Sequence, residues 1–402
     1  MANISELLKK NTQHLEILNL AGLIGQELNI PTYVVGGYVR DALLQIENND
    51  IDIMVEGNSH LFAKNFSKKL KINKVVHYEK FKTALIPHKN FGIEIASARS
   101  EKYNSNSRKP DVEMSTMEQD ISRRDFTINS LAVSLLPKDF GKLYDLFNGV
   151  RDLNKKLIIT PLDPDQTFID DPLRMLRACR FSSQLNFDLA PNLFESISIN
   201  KKRIEIISQE RIRDEIFKCL QSNKPSIAFY AMKKTGLLKL ILPEIDNMPG
   251  IEIIDGMAHK DVFIHTLQVV DNAAKLSDKM ELRFAALVHD IAKPITKKFY
   301  KDKGWTYYGH DELGVLMIEK MSKRLRMSKK LTHYLQKLTK LHLRPIALAK
   351  EGVTDSAVRR LIMSAEDEID DLMILCRADI TTKNKNKVSQ YLNNFKKVEE
   401  MI

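Results

Sequence analysis

Two aspartates one residue apart, Asp50 and Asp52, stand in the strand-like run DIDIMV, which follows VVGGYVRDALLQIENN (34–49). Alternate side chains of a strand share a face, so the two carboxylates project together. Neighbouring like charges are tolerated best around a cation, and hard oxygen ligands suit Mg²⁺. Upstream, Gly36 and Gly37 end the strand YVV and open the helix YVRDALL. That turn leaves backbone N–H groups and the positive end of a helix dipole facing outward, which favours phosphate. No Gly-Lys-Ser/Thr follows and the spacing is not G-x-G-x-x-G, so neither a Walker loop nor a dinucleotide fingerprint is present. A phosphate turn beside a dicarboxylate cation site is the arrangement that phosphoryl or nucleotidyl transfer needs. Glu94, in GIEIASAR, offers a third acid on a short strand able to pair beside the first, although a solvent-facing strand residue would look the same.

Two further constellations carry chemistry. In DDPLRMLRACRF (170–181), a helix with Pro172 in its first turn places Asp171 and Arg174 on one face, with Arg177 continuing the row. A carboxylate accepting an exocyclic amine, beside a guanidinium donating to a ring acceptor, suits cytosine and adenine and mismatches guanine and uracil. In isolation the same pair is a surface contact worth only about 0.2–0.5 kcal/mol. Downstream, His265, the pair His289-Asp290 and Asp379 lie on helical segments, and imidazole with carboxylate suits a divalent transition metal or magnesium. His310 and His342 add two further imidazoles to this stretch, although spread-out histidines are often plain core or surface residues.

The elements that must hold these groups divide the chain. From Tyr33 to about Leu157, short β-rich runs (YVVGG, DIDIMV, KVVHY, TALIP, GIEIAS, INSLAVSLL) alternate with turns and two helical patterns, which predicts a small mixed sheet. After Pro161 the spacing is helical almost to the end, broken by prolines and Gly250, so the fold class expected is α+β with an all-α remainder. The expected parts are a catalytic head at 1–157, a helical neck and body at 158–250 and a helical tail domain at 251–402. The polar segment 99–120 reads as a mobile loop inside the sheet module, and 246–262 as a joint between helical blocks. KKVEEMI breaks off inside a helical pattern, so a short or continuing C-terminus is expected.

At 402 residues the chain is too long for one core. Apolar residues make up 43%, charged residues 28%, and no run reaches the roughly 18 uninterrupted apolar residues of a membrane span. The amphipathic N-terminus lacks the core of a secretion signal, which points to the cytoplasm. Three scattered cysteines with no C-x-x-C exclude a disulfide framework and a zinc knuckle. The formal charge of +10, with basic clusters at 201–203, 293–303 and 320–330, favours a polyanionic partner, although solvated helix faces carry such clusters too.

G-G-x-V-R-D-x-L-L followed by D-I-D resembles the signature of the class II tRNA nucleotidyltransferase (CCA-adding) and bacterial poly(A) polymerase family, with its polymerase β-like nucleotidyltransferase head. The likeness runs in order through RRDFTINSLAV (123–133), YDLFNGVRDL (144–153), DDPLRMLRACRF and ERIRDE (210–215), about the first 220 residues. It implies that Asp50 and Asp52 bind catalytic Mg²⁺ with Glu94 as third carboxylate, and that Gly36, Gly37 and Arg40 hold the triphosphate. It further implies that Arg123, Arg124, Asp125 and Asn129 contact ribose and triphosphate, that Asp171 and Arg174 read the base with Arg177 beside them, and that Asp145 and Gly149 form a hinge. The segment 100–119 matches a flexible element tied to switching from C to A. The partners implied are tRNA, CTP and ATP, with no membrane and no obligate protein partner. Poly(A) addition, or addition of A or C alone, shares every head motif.

The later histidines resemble the HD phosphohydrolase superfamily, with Ala292 where many members have glycine. This implies a second divalent metal in the tail, which either cleaves phosphoesters or retains only the fold. Two rivals follow: a non-catalytic RNA-binding protein, and a phosphohydrolase served by an RNA-binding head.

Overall fold

The computed structural model describes residues 2–400 apart from 49, 80, 81, 89, 90, 105, 106, 256, 260, 352–354, 383, 385, 387, 390, 391, 394 and 397–399. The chain forms two compact units, residues 1–174 with 188–196, and residues 175–187 with 197–402.

In the first unit seven strands form one sheet: β1 Thr32–Val35, β2 Ile51–Val55, β3 Val76–Tyr78, β4 Thr83–His88, β5 Phe91–Ser97, β8 Ala132–Ser134 and β9 Leu143–Tyr144, in the order β3-β4-β5-β2-β1-β8-β9. Within this sheet, among the described residues, only β2 and β5 pair in parallel, so the sheet is mixed as expected. Isoleucines 51, 53, 93 and 95 are fully or almost fully buried. They share one face with Val34 and pack under helices α2 Thr12–Leu28 and α4 Ser59–Lys69, where Phe62 and Phe66 lie with ring centroids 5.9 Å apart. Each such side chain contributes about 1.5–3 kcal/mol by leaving water. Alternation then turns the even-numbered residues of β2 and β5 to the other face, where Met54 packs with Val35, Met117 and Ile121.

The remaining helices of this unit include α1 Ser5–Leu8, α3 Gly37–Leu44, α5 Met117–Ser122, α6 Gly149–Lys155 and α7 Pro164–Asp170. Four helices therefore fall between Tyr33 and Leu157 where the pattern suggested two. The segment 99–120 also differs from the sequence reading: β6 Arg99–Asn104 and β7 Ser107–Met114 pair as an antiparallel hairpin, and α5 follows, capped by Thr116. The two strands pair from Arg99↔Met114 to Lys102↔Asp111 and again at Asn104↔Ser107, a cross-strand pairing that hydrophobic periodicity along one polar strand does not report. Asp145 caps α6, accepting from the backbone N–H of Gly149 (2.6 Å) and Val150 (3.0 Å).

The second unit is helical but not purely so. Two short ribbons, Ile253–Ile254 with Met257–Ala258 and Lys298–Tyr300 with Gly304–Thr306, interrupt it. Helices Val262–Leu276, Met280–Val288, Lys329–Leu341 and Ile369–Ala378 pack on one another around a core that includes Leu372, Leu335 and Val270. Buried Arg283 donates to the carbonyls of Leu220 (2.9 Å), Ser222 (3.1 Å), Ser277 (2.8 Å) and Ala274 (3.1 Å), pinning chain ends that lack helical partners. The three cysteines are buried and free.

Gly22 lets α2 lie against the carbonyl of Leu135, where a Cβ would stand 1.8 Å from the oxygen. Alanine in a helix interior ordinarily stabilises by up to about 1 kcal/mol. Here the clash dominates, and Gly22→Ala is expected to destabilise the protein by about 2 kcal/mol or more, read by denaturant unfolding. Unchanged or higher stability would contradict this packing.

Candidate functional site

The parallel register sets Asp52 directly beside Glu94. With the isoleucines on either side in the core, both carboxylates emerge on the open face of the sheet. Asp50 precedes β2, exposed, its N–H donating to Asn48 Oδ1 (2.8 Å) in a turn rather than lying inside the strand. Burial pushes the half-buried Asp52 carboxyl up to about 6, and the negative charges of Glu94 and Asp50 push the same way against the pull of Arg124 and Arg40. The three acids thus feel one another, and a cation would relieve them.

Gly36 has φ +69° and ψ −131°, a conformation that side chains resist. A Cβ there would stand 2.6 Å from Arg124 Nη1 and 3.8 Å from Asp52 Oδ2, so the bare turn brings backbone, guanidinium and carboxylate together. A cavity of about 270 Å³ opens at this point, lined among others by Asp52, Glu94, Arg99, Asp120, Arg123 and Arg124. Arg124 donates through Nε (3.2 Å) and Nη2 (3.1 Å) to Asp120, a residue the sequence reading passed over.

Arg40, Asp125 and Asn129 are brought together differently. Arg40 forks onto Asp41 (2.7 and 2.9 Å) and donates to Asn129 Oδ1 (2.8 Å), while Asn129 donates to Asp125 Oδ1 (3.0 Å). Asn48 also donates to Asp41 (2.7 Å). This buried network braces α3 behind the glycine turn, and its acceptor at 41 follows Arg40 directly in sequence.

Asp171 lies between α7 and helix α8 Leu173–Leu185, where its Oδ1 accepts from Leu173 N–H (3.2 Å). Arg174 donates through Nη2 to the carbonyl of Arg123 (2.7 Å), so the base-reading candidate is tied to the arginine pair. Arg177 belongs to the second unit, its guanidinium 5.5 Å from the Phe181 ring centroid.

The second unit gathers all six residues of the other constellation. His265 Nε2 lies 3.0 Å from Asp379 and 3.5 Å from Asp290 Oδ2; His289 Nε2 lies 3.2 Å from Asp290 Oδ2 and 3.7 Å from Asp379. Asp290 Oδ1 faces the other way, 3.5 Å from His310 Nε2 and 3.7 Å from His342 Nε2. Two donor sets result, His265, His289 and Asp379 on one side, Asp290, His310 and His342 on the other, each within range of one ion. The ring nitrogens are oriented from outside. Nδ1 of His289, His310 and His342 lies 2.9, 2.7 and 2.6 Å from the carbonyls of Ala286, Tyr307 and Thr339, and that of His265 lies 3.0 Å from Thr381 Oγ1. In the tautomer that donates to those carbonyls, the Nε2 lone pair of each of the three rings turns inward, the arrangement common among metal-ligating histidines. Burial, with His289 beside it, pushes His342 down to about 4, so that imidazole is neutral. His289 Nε2 and Asp290 Oδ1 are buried and face the other ionisable groups of the cluster. Ala292 sits at φ −96° and ψ −3°, so this turn needs no glycine.

Three parts of the chain match known protein families. Residues 32–159 match the Poly A polymerase head domain, 186–248 the probable RNA and SrmB-binding site of polymerase A, and 262–384 the HD domain. The chain is 35% identical to an A-adding tRNA nucleotidyltransferase of Geobacter sulfurreducens over 65% of its own length, but spans only 28% of that protein. It is 34% identical to a multifunctional CCA protein of Psychromonas ingrahamii, over 73% of this chain and 70% of that one. Among solved structures, a CCA-adding enzyme in an apo form aligns over 99% of this chain and 87% of its own at 27% identity, TM-score 0.69. The Thermotoga maritima CCA-adding enzyme complexed with tRNA aligns over 99% and 86% at 25% identity, TM-score 0.66. No described helix is long and apolar enough to cross a membrane. The chain belongs to the family of tRNA nucleotidyltransferases that join a poly(A) polymerase type head to an HD domain.

Proposed function

We propose that the chain completes tRNA 3′ ends by adding C, C and A from CTP and ATP without a nucleic-acid template. The observation that carries this is the Asp52–Glu94 register beside the Gly36 turn and Arg124. Asp50, Asp52 and Glu94 would hold Mg²⁺, which when bound neutralises phosphate charge and activates the attacking hydroxyl. The backbone of Gly36 and Gly37 and the Arg124 guanidinium receive the triphosphate, while Arg40, Asp125 and Asn129 hold that turn in shape. The RNA 3′ oxygen attacks the α-phosphorus, the bond to the bridging oxygen breaks, and pyrophosphate leaves. Asp171 and Arg174 select C and A by their pairing edges, with Arg177 further along α8. The labour divides into a head at 1–157, a neck and body at 158–250 that binds RNA, and a tail at 251–402, acting in the cytoplasm.

The A-adding relative keeps a second reading open, addition of A alone. A tRNA ending before CCA, offered CTP and ATP singly and together, separates the readings by length. A product three nucleotides longer with both triphosphates is expected, while a single A or a run of A would overturn full CCA addition.

The two donor sets in the tail support a second activity, hydrolysis of phosphate esters with a divalent metal bound. Elemental analysis of the purified protein is expected to find a bound transition metal that His289→Ala loses while nucleotide addition persists. Equal metal content in both proteins would contradict this assignment.

Asp52→Asn or Glu94→Gln should reduce nucleotide addition at least about a hundredfold with tRNA affinity kept, and near-normal turnover would remove the cation site from the mechanism. Arg174→Ala should lower discrimination against UTP and GTP by about tenfold or more in competition assays, and unchanged discrimination would remove its role in base choice.

A further inference from the structure

Asp120 on α5 is only 2% exposed, and its two oxygens serve three arginines. Oδ1 accepts from Arg123 Nη2 (2.6 Å) and from the backbone N–H of Arg99 at the start of β6 (3.2 Å). Oδ2 accepts from Nε and Nη2 of Arg124 (3.2 and 3.1 Å), leaving Nη1 of that fork at the Gly36 turn. Arg123 also donates through Nε to the Arg99 carbonyl (2.8 Å), and its own carbonyl accepts from Arg174 (2.7 Å). Burial alone would raise the Asp120 carboxyl, but the Arg124 and Arg123 guanidiniums outweigh it and hold it below the ordinary carboxylate range. Buried ion pairs are often no more stabilising than apolar packing of the same shape. What an ionised two-oxygen acceptor does that apolar packing cannot is fix two guanidinium planes at once.

We propose that Asp120 is a positioning residue for nucleotide addition, holding Arg124 against the triphosphate turn and anchoring Arg123, whose backbone carbonyl accepts from Arg174, so that phosphate and base are read from one rigid frame. This rests on the proposed function; Asp120 itself touches no substrate. Its removal should therefore damage triphosphate binding and base choice together, which loss of fold stability alone would not do.

The test is steady-state addition to tRNA lacking CCA by the full chain, Asp120→Asn and a matched control, Asp152→Asn. Asp152 is a 1% exposed carboxylate of the same unit that accepts from Thr127 Oγ1 (2.8 Å) and pairs with Arg151 (3.1 Å). Asp120→Asn is expected to raise KM for CTP and ATP about tenfold and to lower discrimination against UTP about tenfold, the scale of one hydrogen bond to a charged group, with kcat for the matched nucleotide within about threefold. Asp152→Asn, at a similar loss of Tm, should leave both at the unsubstituted level. Combining Asp120→Asn with Arg174→Ala should cost little more discrimination than Arg174→Ala alone, because both act through one arm. Unchanged KM and discrimination in Asp120→Asn, the same changes in Asp152→Asn, or losses that multiply in the double variant would each overturn the proposal. Should Asp120→Asn fail to fold, Arg123→Lys keeps the charge without the planar fork and is expected to lose discrimination, and retained discrimination would overturn the proposal equally. If the unsubstituted chain adds no nucleotide, the proposed function fails and this inference with it; if it does and the variants behave as wild type, only the inference fails.

Discussion

Like-charged carboxylates at one rung of a parallel strand pair are the constraint on which the head depends. Asp52 and Glu94 are there because Ile51, Ile53, Ile93 and Ile95 must be buried, and strand alternation leaves the residues between them no other side. A slip of one residue in that register would bury the acids and expose the isoleucines, so the hydrophobic core and the chemistry specify each other. The repulsion built into the rung favours a cation between the two carboxylates, and the Gly36 turn brings the Arg124 fork close to Asp52.

The tail solves a related problem with helix ends. His289, His342 and Asp379 each fall at the C-cap of a helix and His310 begins one. Carbonyls near the helix ends orient three of the four rings. Asp290 then offers one oxygen to each donor set. The two donor sets are thus placed by local backbone geometry, which explains how residues spread over more than a hundred positions can converge.

Much of this was legible in the sequence because the signals are local: the D-I-D spacing after the diglycine, the D-P-L-R helix start, and the order H, HD, D. What depended on long-range pairing was not. The hairpin from Arg99 to Met114 is polar along its length, and only its partner strand shows it to be ordered structure rather than loop. The burial of Arg40 against Asp41 and Asn129 could not be read from a basic residue in a phosphate motif. His310 and His342 stood open between ligand and core, and only the fold shows that they meet Asp290. Asp120 did carry a signal that went unused, since it precedes Arg123 and Arg124 by three and four residues, the spacing at which helical side chains meet.

The most direct measurement is a crystal structure of the protein soaked with Mn²⁺ and a non-hydrolysable ATP analogue, with anomalous scattering used to locate the ions. The account predicts an anomalous peak bridging Asp52 and Glu94, with the triphosphate lying across Gly36 against Arg124. A triphosphate bound elsewhere, or those two carboxylates turned apart with no ion between them, would contradict it.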